Sequence, residues 1–151
     1  MVNLKHHKLV KVCNDHISKL PANKFLIAYS GGMDSSVLLD CFFKLSHIVP
    51  IKIRSIHVNH GISEEADLFE AHCRKVCKEY GINHATKKLN LKVTSNIEEQ
   101  CRKARYRELC ENCQDDEVII TAHHEEDQIE TFFLRLIRGS GARGLSCMKE
   151  T

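Results

Sequence analysis

Residues 25–36 read FLIAYSGGMDSS: an apolar run passes straight into Ser30, Gly31 and Gly32, and an acid, Asp34, stands two places further on. Phe25 to Tyr29 has the length and composition of a buried strand. Ser35 to Leu45 carries Val37, Leu38, Leu39, Cys41, Phe42 and Phe43, apolar on most sides, as a largely buried helix would be. Two glycines between such a strand and helix let backbone N–H groups approach an anion, to which the helix N-terminus adds its partial positive charge. The bland reading of the same residues is a Gly-Gly turn with a serine cap.

Phosphate is the natural guest of such a loop. Ser30, Ser35 and Ser36 add hydroxyl donors, whereas Asp34 repels a bare phosphate unless it holds a metal ion or a substrate donor. That combination points to ATP with Mg²⁺, Asp34 being the candidate metal ligand. No lysine follows as in GxxxxGK[ST], and the GxSxG nucleophile elbow is absent.

Working outward, strand and helix alternate. Residues 51–58 supply a second strand, NHGIS turns the chain, and Ser63 with Glu64 and Glu65 behind it predicts a helix start. Ala66, Phe69, Cys73, Val76, Cys77 and Tyr80 repeat at helical spacing, and Gly81 stands where a left-handed terminator is wanted. Residues 84–88 form a short third strand. Asn96 and Glu99 match an N-cap pattern for a helix to about Cys113, with Ile97, Cys101, Ala104 and Leu109 inward and a basic outer face. Residues 117–122, EVIITA, give a fourth strand. Ile129, Phe132, Phe133, Leu136 and Ile137 then share one face of a predicted helix stopped by Gly139.

This alternation predicts an α/β fold, a Rossmann-like parallel sheet with helices on both faces. The expected organisation is an N-terminal helix over 1–22 and one ATP-binding catalytic domain over 23–151, continuing past Thr151 in the intact protein. In such sheets ligands bind beyond the carboxyl ends of the strands, so the segments after Tyr29, Val58 and Ala122 should converge on one crevice.

The whole chain fits an enzyme domain of this kind. Its 151 residues are 42% hydrophobic and 28% charged, with no apolar run near the ~20 residues of a membrane span. The N-terminus lacks the apolar segment and cleavage site of a signal peptide, so a soluble, cytoplasmic protein is expected. Eight cysteines are expected to be reduced, because several sit in apolar helical stripes where a thiol acts as a small hydrophobe. A net charge of +2 gives no global field toward nucleic acid, so any such contact is local.

The segment from Thr121 to Met148, TAHHEEDQIETFFLRLIRGSGARGLSCM, begins at the end of the fourth strand. As a helix it would set Asp127, Glu130 and Thr131 away from the apolar face, leaving acids to hold a metal or a substrate amine; otherwise they form a solvated face. His123 and His124 are adjacent and share no face, which argues against zinc. Arg138, opening RGSG, is the candidate for phosphate or tRNA contact.

The loop resembles the PP-loop, SGGxDS, of the ATP pyrophosphatase family (adenine nucleotide alpha hydrolase-like). More specifically, SGGMDS, HVNHGIS, NIEEQCRKARYREL and AHHEEDQIETFFLRLIRGSGARGL, in this order, resemble the N-terminal catalytic domain of the bacterial tRNA(Ile)-lysidine synthetases. That family has a pair of aspartates where this chain has Glu126 and Asp127, which keeps the charge and lengthens one reach.

The resemblance implies a ligase. ATP adenylates the C2 carbonyl oxygen of the wobble cytidine in tRNA(Ile) with a CAU anticodon, releasing pyrophosphate, and free L-lysine then displaces AMP to give lysidine. It implies Ser30, Gly31, Gly32, Asp34, Ser35 and Ser36 as the ATP loop, with His57, Val58 and His60 beside the adenosine. Asp127 and Glu130 would grip lysine, and Arg105 would neutralise charge at the reacting phosphate. Arg102, Lys103, Arg105 and Arg107 on one helix, with Arg135, Arg138 and Arg143, are expected to supply local tRNA contacts, the bland reading being a solvated basic face. A homodimer is compatible with this reading. The alternatives are a PP-loop tRNA thiolase, suggested by Cys110 and Cys113 in CENC, and a non-catalytic ATP-binding module.

Overall fold

The computed structural model describes residues 7–122 in full and the backbone of 123 and 133–138. In chain order the elements are α1 (Lys8–Ile17), β1 (Lys24–Ala28), α2 (Met33–Ser46), β2 (Lys52–Asn59), α3 (Ala66–Tyr80), β3 (Asn83–Lys88), α4 (Ile97–Asn112), β4 (Glu117–His123) and β5 (Phe133–Arg138). They build one sheet in the order β3-β2-β1-β4-β5. The first four strands are mutually parallel, as the alternating pattern predicts.

Strand alternation divides the core between the two faces. Phe25 and Ile27 of β1, with Val118 and Ile120 of β4, pack against Val10, Cys13 and Ile17 of α1, the α2 residues Leu38, Leu39 and Phe42, and Cys73 and Cys77 of α3. Leu26, Ile56 and Ile119 point the other way, onto Tyr106, Leu109 and Cys110 of α4. Covered on both faces, the central strands read as continuous apolar runs. The N-terminal helix α1 shares this core.

Gly81 ends α3 with φ 67°, the left-handed terminator read from the sequence. Two helix starts differ from expectation. Ser63 to Glu65 form a turn, with the Ala66 N–H donating to the Ser63 carbonyl oxygen, and α3 begins only at Ala66. Asn96 does precede α4, but its own φ is 49° and its side chain caps nothing, since a left-handed residue aims its side chain away from the first turn.

A larger correction concerns residues 133–138. The expected helix from Ile129 to Ile137 gives way there to β5, antiparallel to β4 with Ile119 opposite Ile137 and Thr121 opposite Arg135. A short apolar run such as FLRLIR satisfies either period, and the outer edge of β4 supplies unpaired backbone groups that a strand can satisfy.

At the amino ends of the strands a partly buried ion pair locks β2 to β4. Arg54 donates to both carboxylate oxygens of Glu117, at 2.5 and 2.6 Å, and to the Asn112 carbonyl oxygen at 2.8 Å, while the Gln114 N–H reaches Glu117 at 2.8 Å. Lys24 pairs with Asp116 nearby. No helix among the described residues is long and apolar enough to cross a membrane.

Candidate functional site

The loop between β1 and α2 is organised by its own serines. The Ser30 N–H donates to Ser35 Oγ at 3.1 Å, and the two hydroxyls lie 2.9 Å apart. The Ser36 hydroxyl donates to the Gly32 carbonyl oxygen at 2.7 Å. Gly31 has φ 86°, and a Cβ there would meet Cys73 Sγ and Phe69 Cδ1, each at 3.1 Å. Glycine is therefore required twice over, by conformation and by the close approach of α3. Gly32 caps α2, whose first turn carries Asp34.

β2 supports this loop from beside it. His57 is buried, and its Nδ1 donates to the Tyr29 carbonyl oxygen at 2.9 Å. Because a carbonyl can only accept, that nitrogen carries the proton. Asn59, also buried, donates to Asp67 and Glu70 of α3 at 3.0 and 2.7 Å and accepts from the Gly61 N–H at 2.9 Å. The turn after β2 is thus bolted to the helix that follows.

Beyond the carboxyl ends of β1, β2 and β4 lies a cavity of about 440 Å³ on the α4 side of the sheet. Ala28, Ile56 and Val58 contribute apolar surface from the strands, Ile97, Cys101 and Leu109 from α4, and Ile62 and Phe69 from the chain after β2. Ser30 and Ser35 join it to the loop, and Arg105 brings a cation. Burial, with Arg105 and His57 adding to it, lowers the pKa of His60 in this cavity and favours the neutral ring. His60 Nδ1 and Thr121 Oγ1 are buried without a hydrogen-bond partner.

Six residues singled out in the sequence, Ser30, Ser35, His57, Val58, His60 and Arg105, line one cavity. Gly31, Gly32, Asp34 and Ser36 belong to the adjoining loop and helix start. Arg138 ends β5, where only its backbone is described. Asp127, Glu130 and Arg143 lie outside the described residues.

Sequence reasoning missed Thr121, Asn59, Cys101 and Phe69 as site residues. Thr121 shares its strand parity with Ile119, a signal that it faces the α4 side. Helical spacing places Phe69 in the core stripe of α3, but it is 43% exposed and lines the cavity beside Gly31.

The donor set suits a nucleoside triphosphate: an apolar cavity with two unpartnered polar atoms for the nucleoside, and a glycine-serine loop with a helix start for phosphates. No group of three or more His, Cys, Asp or Glu suited to a metal occurs among the described residues. Asp34 stands in the first turn of α2, beside the phosphate loop. Cys110 and Cys113 are buried in the α4-side core, as small apolar residues near a helix end would be.

Fold and site together define a nucleotide-binding α/β domain with its phosphate loop at the first strand–helix junction. A family model described as a PP-loop domain matches residues 3–151, and the chain belongs to that family, whose nucleotide is ATP. Similar proteins include a tRNA(Ile)-lysidine synthase of Haemophilus influenzae (strain 86-028NP), 44% identical over 138 residues, covering 89% of this chain and 32% of that one. Another tRNA(Ile)-lysidine synthase, from Buchnera aphidicola subsp. Schizaphis graminum (strain Sg), is 45% identical over 139 residues, covering 91% and 30%. The chain thus spans about a third of the length of these curated relatives. Among solved structures, the U34-tRNA thiolase NcsA from Methanococcus maripaludis with its [4Fe-4S] cluster aligns with TM-score 0.55 and 24% identity, over 68% of this chain and 39% of that one. That likeness concerns the fold.

Proposed function

We propose that this chain is the ATP-using part of a tRNA(Ile)-lysidine synthase. The observation that carries the reading is the single cavity in which the Ser30–Ser35 loop, an apolar nucleoside-sized space and the Arg105 guanidinium meet. The names of relatives 39–45% identical to most of this chain supply the substrate.

In this reading the loop glycines and the α2 N-terminus hold the phosphates of ATP while the cavity holds its nucleoside. The C2 carbonyl oxygen of the wobble cytidine attacks the α-phosphorus, and the bond to the pyrophosphate leaving group breaks. Arg105 stabilises the charge that grows on the reacting phosphate, a contribution worth about 10²–10³-fold in rate for one well-placed donor. Mg²⁺, when bound with ATP, would offset phosphate charge, and Asp34 is its ligand from the protein. In the second half-reaction the ε-amine of lysine attacks C2 and AMP departs. Asp127 and Glu130 are assigned to the cationic α-amino group, leaving the ε-amine free to lose its proton.

Contacts to tRNA belong to Arg107, Arg135, Arg138 and Arg143. Arg102 and Lys103 belong to the same set and also pair with Glu99 on their own helix, at 3.1 and 3.7 Å. Such an activity would operate in the cytoplasm, where tRNA is modified.

The test uses the intact protein with labelled ATP, tRNA(Ile) and lysine. Glu130→Gln and Asp127→Asn are expected to form adenylated tRNA yet incorporate lysine poorly, whereas Arg105→Ala is expected to slow pyrophosphate release. Normal lysine incorporation by both acid variants would show that the amine is held elsewhere. Absence of tRNA-dependent pyrophosphate release by the wild type would overturn the whole reading.

A further inference from the structure

Among the described residues, the two buried side-chain atoms without a hydrogen-bond partner, His60 Nδ1 and Thr121 Oγ1, both line the cavity at the carboxyl ends of the strands. Thr121 is only 6% exposed, so its hydroxyl bears the desolvation cost of an unmade hydrogen bond. The lining of the cavity includes Ala28, Ile56, Leu109 and Ala122, which are apolar and offer nothing to bond, and none of its polar residues reaches this hydroxyl. A valine would fill the same space without that cost. A ligand in the cavity would supply the partner that the described residues do not, and one spanning it can reach Thr121 and His60 together.

We propose that Thr121, paired with His60 Nδ1, hydrogen-bonds the nucleoside half of ATP, making Thr121 a specificity-determining residue of the site. The inference rests on the nucleotide reading above and adds a residue to it. A threonine hydroxyl both donates and accepts, and a neutral imidazole nitrogen does one or the other according to tautomer. The pair can therefore match the mixed donor and acceptor pattern of a base edge or the hydroxyls of a ribose.

Calorimetric titration of the protein separates these possibilities. Thr121→Val should weaken ATP binding about tenfold, corresponding to ~1.4 kcal/mol, while Thr121→Ser stays near wild type. Pyrophosphate affinity should be unchanged by either variant, and the ligand-free Thr121→Val protein should melt no lower than wild type. With 2′-deoxy-ATP or purine riboside triphosphate, the tenfold difference should vanish for whichever analogue lacks the bonded group. Equal ATP affinity of Thr121→Val and wild type would overturn the role of Thr121 and leave the nucleotide reading standing. An equal loss for pyrophosphate would likewise overturn it, by showing a general disturbance of the site. Failure of the wild type to bind ATP would instead remove the nucleotide reading, and this inference with it.

Discussion

His57 Nδ1 lies 2.9 Å from the carbonyl oxygen of Tyr29, so the end of β2 grips the last residue before the phosphate loop. Tyr29 is held on its other side by its own N–H, which donates to the Ile56 carbonyl oxygen at 2.8 Å. The loop therefore leaves the sheet from a fixed point. Replacing His57 by phenylalanine keeps the buried ring and removes the donor, at a cost of about 1–3 kcal/mol. Urea unfolding should register that loss, and ATP titration should show weakened binding. Wild-type behaviour in both would mean that the loop anchors itself without this bond.

The two loop glycines should respond differently to alanine. Gly31 combines φ 86° with contacts to Cys73 and Phe69 at 3.1 Å, so Gly31→Ala is expected to cost about 1–3 kcal/mol and to push α3 from the loop. Gly32, with φ −72°, would set its Cβ 3.4 Å from the movable Ser30 hydroxyl, and Gly32→Ala should change stability by no more than ~0.5 kcal/mol. Thermal melts of the two variants side by side check the contrast.

The Arg54–Glu117 pair is distant from the cavity, and its loss should be felt in stability alone. Glu117 is 2% exposed, and Glu117→Ala leaves the partly buried Arg54 guanidinium, 23% exposed, without its carboxylate at a cost of about 1–3 kcal/mol. Removing both charges as Arg54→Met with Glu117→Leu should recover much of that loss, because the desolvation penalty disappears with the pair. Denaturant midpoints of the single and double variants decide the point. A double variant no better than Glu117→Ala would count against the interpretation.

Acid should loosen the β2–β3 edge through His84. Burial, with His57 and Arg74 adding to it, lowers its pKa from the usual 6.5 to about 4. Its Nδ1 is 2.7 Å from Ser55 Oγ. The unfolded chain takes up this proton near pH 6.5 and the folded chain near pH 4, so the contribution is complete above pH 6.5 and is lost as pH falls toward 4. The loss is ~3 kcal/mol at most. Urea midpoints measured between pH 7 and pH 4.5 should fall for wild type and fall less for His84→Gln. Parallel profiles would remove His84 from the account.

Local chemistry by itself determined the order of strands and helices, the parallel sheet, the Ser30 to Ser36 loop and the Gly81 terminator. Each rests on side chains within a few residues of one another, where period, glycine conformation and helix-start electrostatics act directly. Tertiary structure decided the rest. FLRLIR fits helix and strand equally, and the open edge of β4 chose the strand. Asn96 has a capping side chain, yet its left-handed backbone turned that side chain away. Arg102 and Arg105 look alike along α4, but one meets Glu99 and the other meets the cavity. Arg54 and Glu117, 63 residues apart, pair only because β2 and β4 flank β1. Thr121 opens a stretch rich in histidines and acids; its parity with Ile119 tells which face it takes, but nothing near it in the chain tells that its hydroxyl is left without a partner. Its significance comes from water removed by α4 and the neighbouring strands, and desolvation depends on everything packed around a residue, however distant in sequence.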